Sequence, residues 1–403
     1  MDWVVFGDDW GRHASTTQHL VSHLPATDRV VWIDSLGMRE PQLSRADLAR
    51  VVERLARLRH SSRPGAGQLG QPHRDQPGWD PTAPPRLHPL FIPYHRNPLA
   101  RAANRLLFAR SWVGPLAHLR APVALVANPV ASAYVDLVSP SKVAYLRLDD
   151  FANLPGVDPR LIARFEPALL AAPPRGLATL VAAPNMRLLT GVDAPTLLLP
   201  QGVDPAAFAT VPLDPPDARV LGFWGLISPW LDQDLVLSAA RRHPDWTFEL
   251  RGPIGTDTSR LTLPNIRLLP AVPHSELAAH AAHWRAAWAP LRADAALSGL
   301  SPLKLREYLA AGFPTAATPL PEARTLPLTL IGPGDTLDAF LSDALSDTAA
   351  RRQARRDSQA DATWSSRARL LRDSVASLPA SPQPPTRRRF DLSPNALRSK
   401  ARS

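Results

Sequence analysis

The 403-residue sequence contains no cysteine, and this absence removes several classes of protein at once. Without a thiol, the chain forms no disulfide framework, binds no zinc through thiolates and has no cysteine nucleophile. It also lacks any run of about 18 consecutive apolar residues, so we expect no membrane-spanning helix. Residues 1–7 show neither the basic leader nor the cleavage site of a secretory signal, so we expect a cytoplasmic protein.

Lysine is almost absent as well. The only lysines are Lys142, Lys304 and Lys400, although the chain carries a net charge of +10. Arginine supplies the rest of the positive charge, which favours nucleic acid, anionic lipid or an anionic substrate as a partner. No basic helix with interleaved aromatic residues occurs, so we do not expect nucleic acid to be a binding partner. The sequence also lacks the G-x-G-x-x-G fingerprint of dinucleotide binding at its strand ends, so we predict no dinucleotide cofactor.

What the sequence does contain is an alternation of short apolar runs and helical patterns. The first half has apolar runs typical of buried parallel strands at residues 3–7, 30–34, 87–93, 123–127, 143–148, 177–181 and 196–200. Helical patterns occur at 97–119 and 159–170. This alternation predicts a doubly wound α/β domain over residues 1–208. Residues from about 60 to 85 are predicted as a mobile loop, which either covers an acceptor site or is an insertion without a role.

Open α/β sheets bind ligands at the carboxyl ends of their strands, and two polar stretches lie at such ends in the first half. Gly11, Arg12 and His13 follow the first strand, and Asp149 and Asp150 follow a later one. Paired carboxylates there would orient a hydroxyl group or act as a base. Alternatively they cap the start of the next helix, an interpretation that we favour more for Asp150 than for Asp149. A loop histidine without a role is at least as good an interpretation of His13.

The prolines of residues 209–217 indicate a linker, after which the strand and helix patterns start again. We predict a second domain of similar build over residues 218–360, with a cleft between the two domains. A terminal amphipathic helix is predicted at 361–378. Residues 379–403 are rich in proline, serine and arginine and are predicted as a disordered basic tail. This tail either contacts anionic lipid headgroups or stays solvated.

Residues 301–312 are the stretch of the sequence that most strongly indicates a functional site. Ser301 is predicted to cap a helix, Pro302 to occupy its first position and Gly312 to end it. The N-terminus of a helix binds phosphate well, because its amides are free and its partial charge is positive. Lys304, a cation in the first turn, therefore indicates that an anion binds nearby, and the Glu307 carboxylate would accept hydrogen bonds from sugar hydroxyls. The alternative is an ordinary capped helix with two surface charges.

Four stretches in the order and spacing of a known family lie between about residues 199 and 323. They are residues 199–204 with Phe208, residues 222–225, residues 250–253, and residues 301–312 with Pro314, Thr318, Pro319, Pro321 and Glu322. In these stretches the second half resembles the donor-binding domain of GT-B fold glycosyltransferases, in particular glycosyltransferase family 4 enzymes of bacterial surface polysaccharide synthesis. The first half matches more loosely, through residues 7–15 and the strand ending at Asp149 and Asp150. The resemblance implies an α/β protein of the GT-B type, with two Rossmann-like βαβ domains facing each other across a cleft.

The resemblance implies an enzyme that transfers a sugar from a nucleotide-diphosphate donor to a glycan or lipid-linked acceptor. It implies retention of configuration, no metal and no cofactor beyond the donor itself. The second domain would bind the donor and the first domain mainly the acceptor. In GT-B enzymes the last helix often crosses back to the first domain, and the same is expected for residues 361–378; a simple terminal helix is the alternative.

The resemblance also implies roles for individual residues. The Leu303 and Lys304 amides and the Lys304 ammonium would hold the diphosphate and stabilise its developing charge, with Ser301 and Pro302 at the same helix entrance. Glu307 would bind the ribose hydroxyls. Gly225 would let backbone approach the phosphates. Arg251 would add a second cation or remain a surface arginine. On the facing loop, Gly11, Arg12 and His13 would contact donor phosphate or acceptor.

The sequence departs from the family pattern at three places. Family members often carry a second glutamate eight positions before the one that binds ribose, and Gly299 stands there, with Asp294 a weak substitute. No basic residue occurs at 227–230, and residues 182–185 lack the usual serine. Two other functions therefore stay open, a non-catalytic nucleotide-sugar-binding protein and, with less support, a nucleotide-sugar epimerase of the same fold.

Overall fold

The computed structural model describes residues 1–11, 15–39, 84–154, 156–171, 178–292, 297, 299–332 and 337–379. Several predictions lie outside the described residues. They concern Arg12 and His13, Asp294, the loop at about 60–85 except for its last two residues, and the tail at 379–403 except for its first residue.

The first half folds into a seven-stranded sheet of parallel strands in the order β3-β2-β1-β4-β5-β6-β7. These strands are rich in valine, leucine, alanine and aromatic residues, as expected for a sheet covered on both faces. The strands are β1 (Asp2–Phe6), β2 (Arg29–Ile33), β3 (Arg86–Leu87), β4 (Val123–Val126), β5 (Lys142–Leu146), β6 (Ala178–Ala183) and β7 (Thr196–Leu198). The helices of this half are α1 (Thr16–Ser22), α2 (Pro98–Leu116), α3 (Pro159–Phe165), α4 (Pro167–Leu170) and α5 (Pro205–Phe208).

The second half forms a separate parallel sheet of six strands in the order β10-β9-β8-β11-β12-β13. Its strands are β8 (Val220–Trp224), β9 (Thr247–Arg251), β10 (Ile266–Leu269), β11 (Ala286–Ala289), β12 (Thr315–Ala317) and β13 (Thr329–Leu330). Its helices are α6 (Gln233–Arg242), α7 (Leu277–Ala281), α8 (Lys304–Ala311), α9 (Asp338–Leu345) and α10 (Ala349–Asp357), and α11 (Trp364–Ser377) ends the described chain. The predicted architecture of two βα domains is confirmed.

The prediction of a strand over residues 87–93 is wrong, because the paired strand ends at Leu87. Pro89 and Pro93 lack the amide proton that further pairing would require. The backbone between them bonds to a side chain instead. The Ile92 amide donates to Asn104 Oδ1 at 2.7 Å, and Asn104 Nδ2 donates to the Ile92 carbonyl at 2.9 Å.

Helix α11 follows the second domain in sequence but packs on the sheet of the first domain. Trp364, Ala368, Leu371 and Val375 are buried in one apolar cluster with residues of β1 and α1. These four residues are spaced three or four apart, so they line one face of the helix. That face therefore joins the end of the chain to its first domain.

Polar contacts hold the same helix. Lys142 Nζ donates to the carbonyls of Val375 and Ala376 at 2.8 and 2.9 Å, at the helix C-terminus, where a cation is favoured. Arg372 Nε donates to Asp28 at 2.9 Å. No helix in the described part of the chain is long and apolar enough to cross a membrane.

Candidate functional site

The prediction that Ser301 caps the helix is wrong, because α8 begins only at Lys304 and Ser301 makes no capping bond. The Ser301 hydroxyl donates instead to Glu322 Oε2 at 3.0 Å. A hydrogen bond to a charged carboxylate is stronger than one between neutral groups. The Ser301 hydroxyl therefore bonds to Glu322 and not to the amides of the first helical turn. Pro302 therefore lies before the helix and not in its first position. Gly312 ends the helix with φ +88°, the left-handed conformation that glycine adopts without strain.

The entrance of α8 is fixed by a buried polar network. Arg306 Nη2 and Nε donate to Glu322 Oε1 at 2.8 and 3.1 Å, and Arg306 Nη1 donates to Gln359 at 3.3 Å. With Ser301 on the second carboxylate oxygen, Glu322 joins three elements of the domain. In the sequence Glu322 is only part of the family pattern, and Arg306 has no predicted role. The two residues are 16 positions apart, so no local pattern indicates their contact.

Two glycines bring the ends of β8 and β9 into backbone contact. The Gly225 amide donates to the Arg251 carbonyl at 2.9 Å, and Gly225 has φ +123°. A Cβ added at Gly252 would lie 2.1 Å from the Gly225 carbonyl oxygen. Any side chain at Gly252 would therefore collide with backbone. The two strand ends form a bare backbone surface that an extended ligand can approach closely.

Lys304 lies against this backbone surface. Its Nζ is 2.7 Å from where a Cβ at Gly225 would be and 4.0 Å from the centre of the Phe223 ring. Burial lowers its pKa to about 8, against the opposing charge of Glu307. Within the described residues it forms no ion pair. Lys304 is thus a cation without an ion-pair partner among the described residues, which favours the binding of an anion.

The backbone beside Lys304 is equally free. In the described part of the chain, neither the Leu303 amide nor the Lys304 amide donates a hydrogen bond, whereas the Leu305 amide donates to the Pro302 carbonyl at 3.2 Å. The first amides of a helix have no intrahelical acceptor. The start of α8 therefore offers two free amides, one of them on Lys304 itself.

Arg251 lies at the end of β9 and is mostly buried. Its Nη1 donates to the Pro270 carbonyl at 3.4 Å, and its Nε has no partner among the described residues. An unpartnered buried donor is uncommon and is satisfied once an acceptor enters. This geometry is compatible with the predicted second cation, which remains a prediction.

Glu307 is buried and already bonded on both oxygens. Trp224 Nε1 donates to Oε2 at 2.9 Å, and His274 Nε2 lies 2.6 Å from Oε1. The hydrogen bond to Glu307 raises the pKa of His274. A ribose would have to share this carboxylate with His274 or displace it, so the ribose-binding role of Glu307 remains a prediction. The sequence offered no signal for His274, which comes from a loop after β10.

On the side of the first domain, Asp149 and Asp150 line a small pocket in the cleft. The second domain completes its wall with Trp230, Leu297 and Leu300. Burial, and then the charge of Asp150, raise the pKa of Asp149 to about 7. A carboxyl group with this pKa exchanges protons near neutral pH, as a general acid or base must.

The capping interpretation of Asp150 is wrong. Its side chain makes no capping bond to the short helix that follows, and Oδ2 instead accepts from Asn153 Nδ2 at 2.7 Å. Asp150 also touches the second domain, since a Cβ at Gly299 would lie 3.1 Å from its Cβ. Asn185, which like Asp150 belongs to the first domain, donates from Nδ2 to the Gly299 carbonyl at 2.9 Å. Gly299 therefore lies where the two domains meet, and a side chain there would press on Leu188 and Asp150.

Gln201 links the remaining parts of the site. It accepts from Thr16 Oγ1 at 2.8 Å and donates to the Ser301 carbonyl at 3.4 Å. Thr16 begins α1, directly after the loop that contains Gly11. The Gly11 amide donates to Gln18 at 3.2 Å, and Gly11 has φ +79°. The structure thus couples the Gly11 loop to the entrance of α8, and the predicted contact of Gly11 with a ligand remains untested.

Among the described residues, no three histidine, aspartate or glutamate side chains are grouped so as to hold a metal ion.

No protein-family model matches the chain. Among curated proteins it is similar to TuaH of Bacillus subtilis, named as a glycosyltransferase of teichuronic acid biosynthesis. The two are 36% identical over 107 residues, which cover 25% of this chain and 27% of TuaH. The match thus spans about a quarter of the length of that relative.

Solved structures match over nearly the whole chain. Sucrose-phosphate synthase from Thermosynechococcus elongatus is 14% identical with a TM-score of 0.61, covering 93% of this chain and 99% of its own. HepE from Anabaena, in complex with UDP and glucose, is 13% identical with a TM-score of 0.59, covering 94% and 99%. These likenesses show the fold. The prediction of a GT-B architecture is confirmed.

Proposed function

We propose that this protein is a glycosyltransferase that moves a sugar from a nucleotide-diphosphate donor to a glycan or lipid-linked acceptor in the synthesis of a cell-surface polysaccharide. The similarity to TuaH and the GT-B fold support this class of reaction. We further propose that the enzyme acts in the cytoplasm or at the inner face of the membrane, needs no metal, and retains the configuration of the sugar.

The observation that carries the proposal is Lys304, which has no ion-pair partner among the described residues and lies beside free amides and bare glycine backbone. A diphosphate satisfies all of these groups at once, because its oxygens accept from the amides and pair with the ammonium. A bound anion would also raise the pKa of Lys304 from about 8, keeping it charged during catalysis. The nucleoside would extend toward Glu307 and the Gly225 backbone.

The chemistry follows from this placement. As the bond between the sugar C1 and the phosphate oxygen breaks, negative charge grows on the leaving diphosphate, and Lys304 and the helix amides stabilise it. The acceptor hydroxyl forms the new bond to C1 and gives up its proton. In a retaining reaction that proton passes to the leaving phosphate oxygen, while Asp149 and Asp150 orient the hydroxyl. A stereochemical assay that finds inversion would instead assign the proton to Asp149 as base.

A screen of UDP-, GDP- and dTDP-sugars by thermal shift tests the donor site, because a ligand that binds the folded state raises its melting temperature. We expect one nucleotide class to stabilise the wild type and to lose most of this effect in Lys304→Ala and Glu307→Gln. The glutamine keeps an acceptor for Trp224, so the variant should stay folded. If no donor binds, or if both variants bind as tightly as wild type, the assignment of the donor site is wrong.

The same donors separate the alternative functions. Transfer of a labelled sugar to an acceptor extract supports a glycosyltransferase. Binding without transfer or hydrolysis would identify a non-catalytic nucleotide-sugar-binding protein. Conversion of the donor to an epimeric nucleotide sugar, with no acceptor present, would identify an epimerase.

A further inference from the structure

The second domain contains the same arrangement of three side chains twice. In each triad, a buried glutamate accepts a hydrogen bond from a tryptophan indole and lies within hydrogen-bond distance of a half-exposed histidine. The two triads are Trp224, Glu307 and His274, which we call the edge triad, and Trp284, Glu249 and His283, which we call the inner triad. The two indoles stack on each other with their ring centres 5.2 Å apart. The triads therefore differ in position and surroundings and not in chemistry.

The inner triad lies within the sheet and serves the fold. Glu249 is the middle residue of β9, and its partner on β8 is Gly222. A Cβ at Gly222 would lie 2.0 Å from the Trp284 ring, so the indole covers the sheet at this point. Both donors of this triad meet one carboxylate oxygen, Oε2, and Arg267 lies 3.7 Å from the other. The Glu249 carboxylate is thus surrounded by groups of the protein itself.

The edge triad lies at the carboxyl end of the sheet. Trp224 is the last residue of β8 and directly precedes Gly225, and Glu307 lies one turn after Lys304 on α8. Its donors take separate oxygens, because Trp224 Nε1 donates to Oε2 at 2.9 Å and His274 Nε2 lies 2.6 Å from Oε1. A carboxylate has about four lone-pair sites, so each oxygen keeps one for a further donor. These two sites lie beside the groups assigned to the diphosphate.

One aromatic ring holds both donors of the edge triad. Phe208, which is 1% exposed, packs edge-on against His274 with the ring centres 5.8 Å apart and stacks on Trp224 at 5.7 Å. Aromatic contacts of these two kinds are favourable and directional. The imidazole therefore has a fixed position from which it orients the Glu307 carboxylate. Without its Nε2 donor, one oxygen of a buried carboxylate would lose its partner.

We propose that His274 is a positioning residue of the donor site, which holds the Glu307 carboxylate so that its two free lone-pair sites accept from the hydroxyl groups of the nucleotide's ribose. This inference rests on the proposed function. Two fixed acceptors bind a pair of adjacent hydroxyl groups without displacing His274. Because they are already oriented, less conformational freedom is lost when the nucleotide binds. His274 thus acts through Glu307 and stays bonded to it.

Calorimetric titration of UDP, GDP and dTDP tests this role, with inorganic pyrophosphate as a probe that has the diphosphate but no ribose. His274→Leu should weaken binding of the nucleotide that wild type prefers by about ten-fold, because it removes the donor to Oε1. His274→Gln should stay within about three-fold of wild type, since its amide keeps an N–H donor. Pyrophosphate should bind both variants as it binds wild type, whereas Lys304→Ala should weaken the binding of nucleotide and pyrophosphate alike.

The matched control is His283→Leu, which makes the same change in the inner triad. It should lower the melting temperature about as much as His274→Leu does and leave nucleotide affinity unchanged, because each change unpairs one buried carboxylate. Should His274→Leu not fold, His274→Asn replaces it, since its amide lies on a shorter side chain that does not reach Glu307.

The role of His274 is wrong if His274→Leu binds the nucleotide like wild type, if His274→Gln loses as much affinity as His274→Leu, or if pyrophosphate binding falls by the same factor. In each of these cases a loss of binding in Lys304→Ala still supports the donor site, so the two proposals fail separately. If none of the three nucleotides binds to wild type, the donor site is wrong and the role of His274 is wrong with it.

Discussion

The two domains share a fold but present opposite chemistry to the cleft. The second domain offers bare backbone at Gly225 and Gly252, free amides at the start of α8 and one ammonium group. The first domain offers two neighbouring carboxyl groups, Asp149 and Asp150, which line a small pocket. One edge suits an anion, and the other suits a hydroxyl group.

This difference shows how one architecture separates two tasks. Binding a diphosphate requires fixed donors that do not reorganise as charge develops, and buried backbone supplies them. Handling a hydroxyl group requires a group that can change its protonation state near neutral pH, and burial of a carboxyl supplies that. Each edge can therefore be altered without the other, and the following predictions use this independence.

The largest effect is expected at Lys304. Lys304→Ala should lower kcat/KM for transfer by about a hundred-fold or more, because it removes the charge that stabilises the leaving diphosphate. Steady-state kinetics with the donor identified by the screen measures this. Lys142→Ala, which removes a lysine that only anchors α11, should lower stability and leave donor affinity unchanged. Equal kinetic losses in both variants would contradict a donor site confined to the second domain.

A smaller effect is expected at Gly225. Gly225→Ala puts a methyl group 2.7 Å from Lys304 Nζ at φ +123°, so it should weaken donor binding about ten-fold and cost roughly 1 to 2 kcal/mol of stability. Calorimetric titration and urea unfolding measure the two terms. Gly191 is the matched control, since it has φ +73° and open space around it. Gly191→Ala should show the loss of stability alone. A matching loss of donor affinity in this variant would contradict the assignment of Gly225 to the donor site.

The smallest effect on donor binding is expected at Asp149, where the change is a pH dependence of stability. Its folded pKa of about 7 lies above its ordinary value of 3.8, so the folded state binds the proton more tightly. Its contribution is fully present below about pH 4 and is lost as the pH rises through 7. Relative to wild type, Asp149→Asn should therefore gain stability at pH 8 but not at pH 4. Urea unfolding at both values checks this.

The exposed surface variant Asp193→Asn serves as the control for the loss of a carboxyl group outside the cleft. Asp149→Asn should also leave donor affinity intact, since Asp149 lies on the other side of the cleft. If it weakened donor binding as strongly as Lys304→Ala, the two edges would not be separate.

Much of the fold could be predicted from sequence, because buried parallel strands require apolar runs whatever their neighbours are. Gly312 was equally readable, since a left-handed helix end favours glycine locally. The start of α8 was not. Ser301 satisfies every local rule for a cap. Its hydroxyl nevertheless donates its hydrogen bond to Glu322, which lies 21 residues further along the chain. Competition with a distant carboxylate leaves no trace in the local pattern.

By itself the sequence determined two βα domains and a lysine next to a helix entrance, because each depends on residues close together in the chain. Only the tertiary structure decided that Lys304 lies against Gly225, that His274 bonds to Glu307, and that Gly299 presses on Asp150. These pairs are separated by between 33 and 149 positions in the sequence, and their contact depends on how the sheets and domains pack. Burial follows from that packing, and burial is what shifts the pKa values of Lys304 and Asp149 toward neutrality.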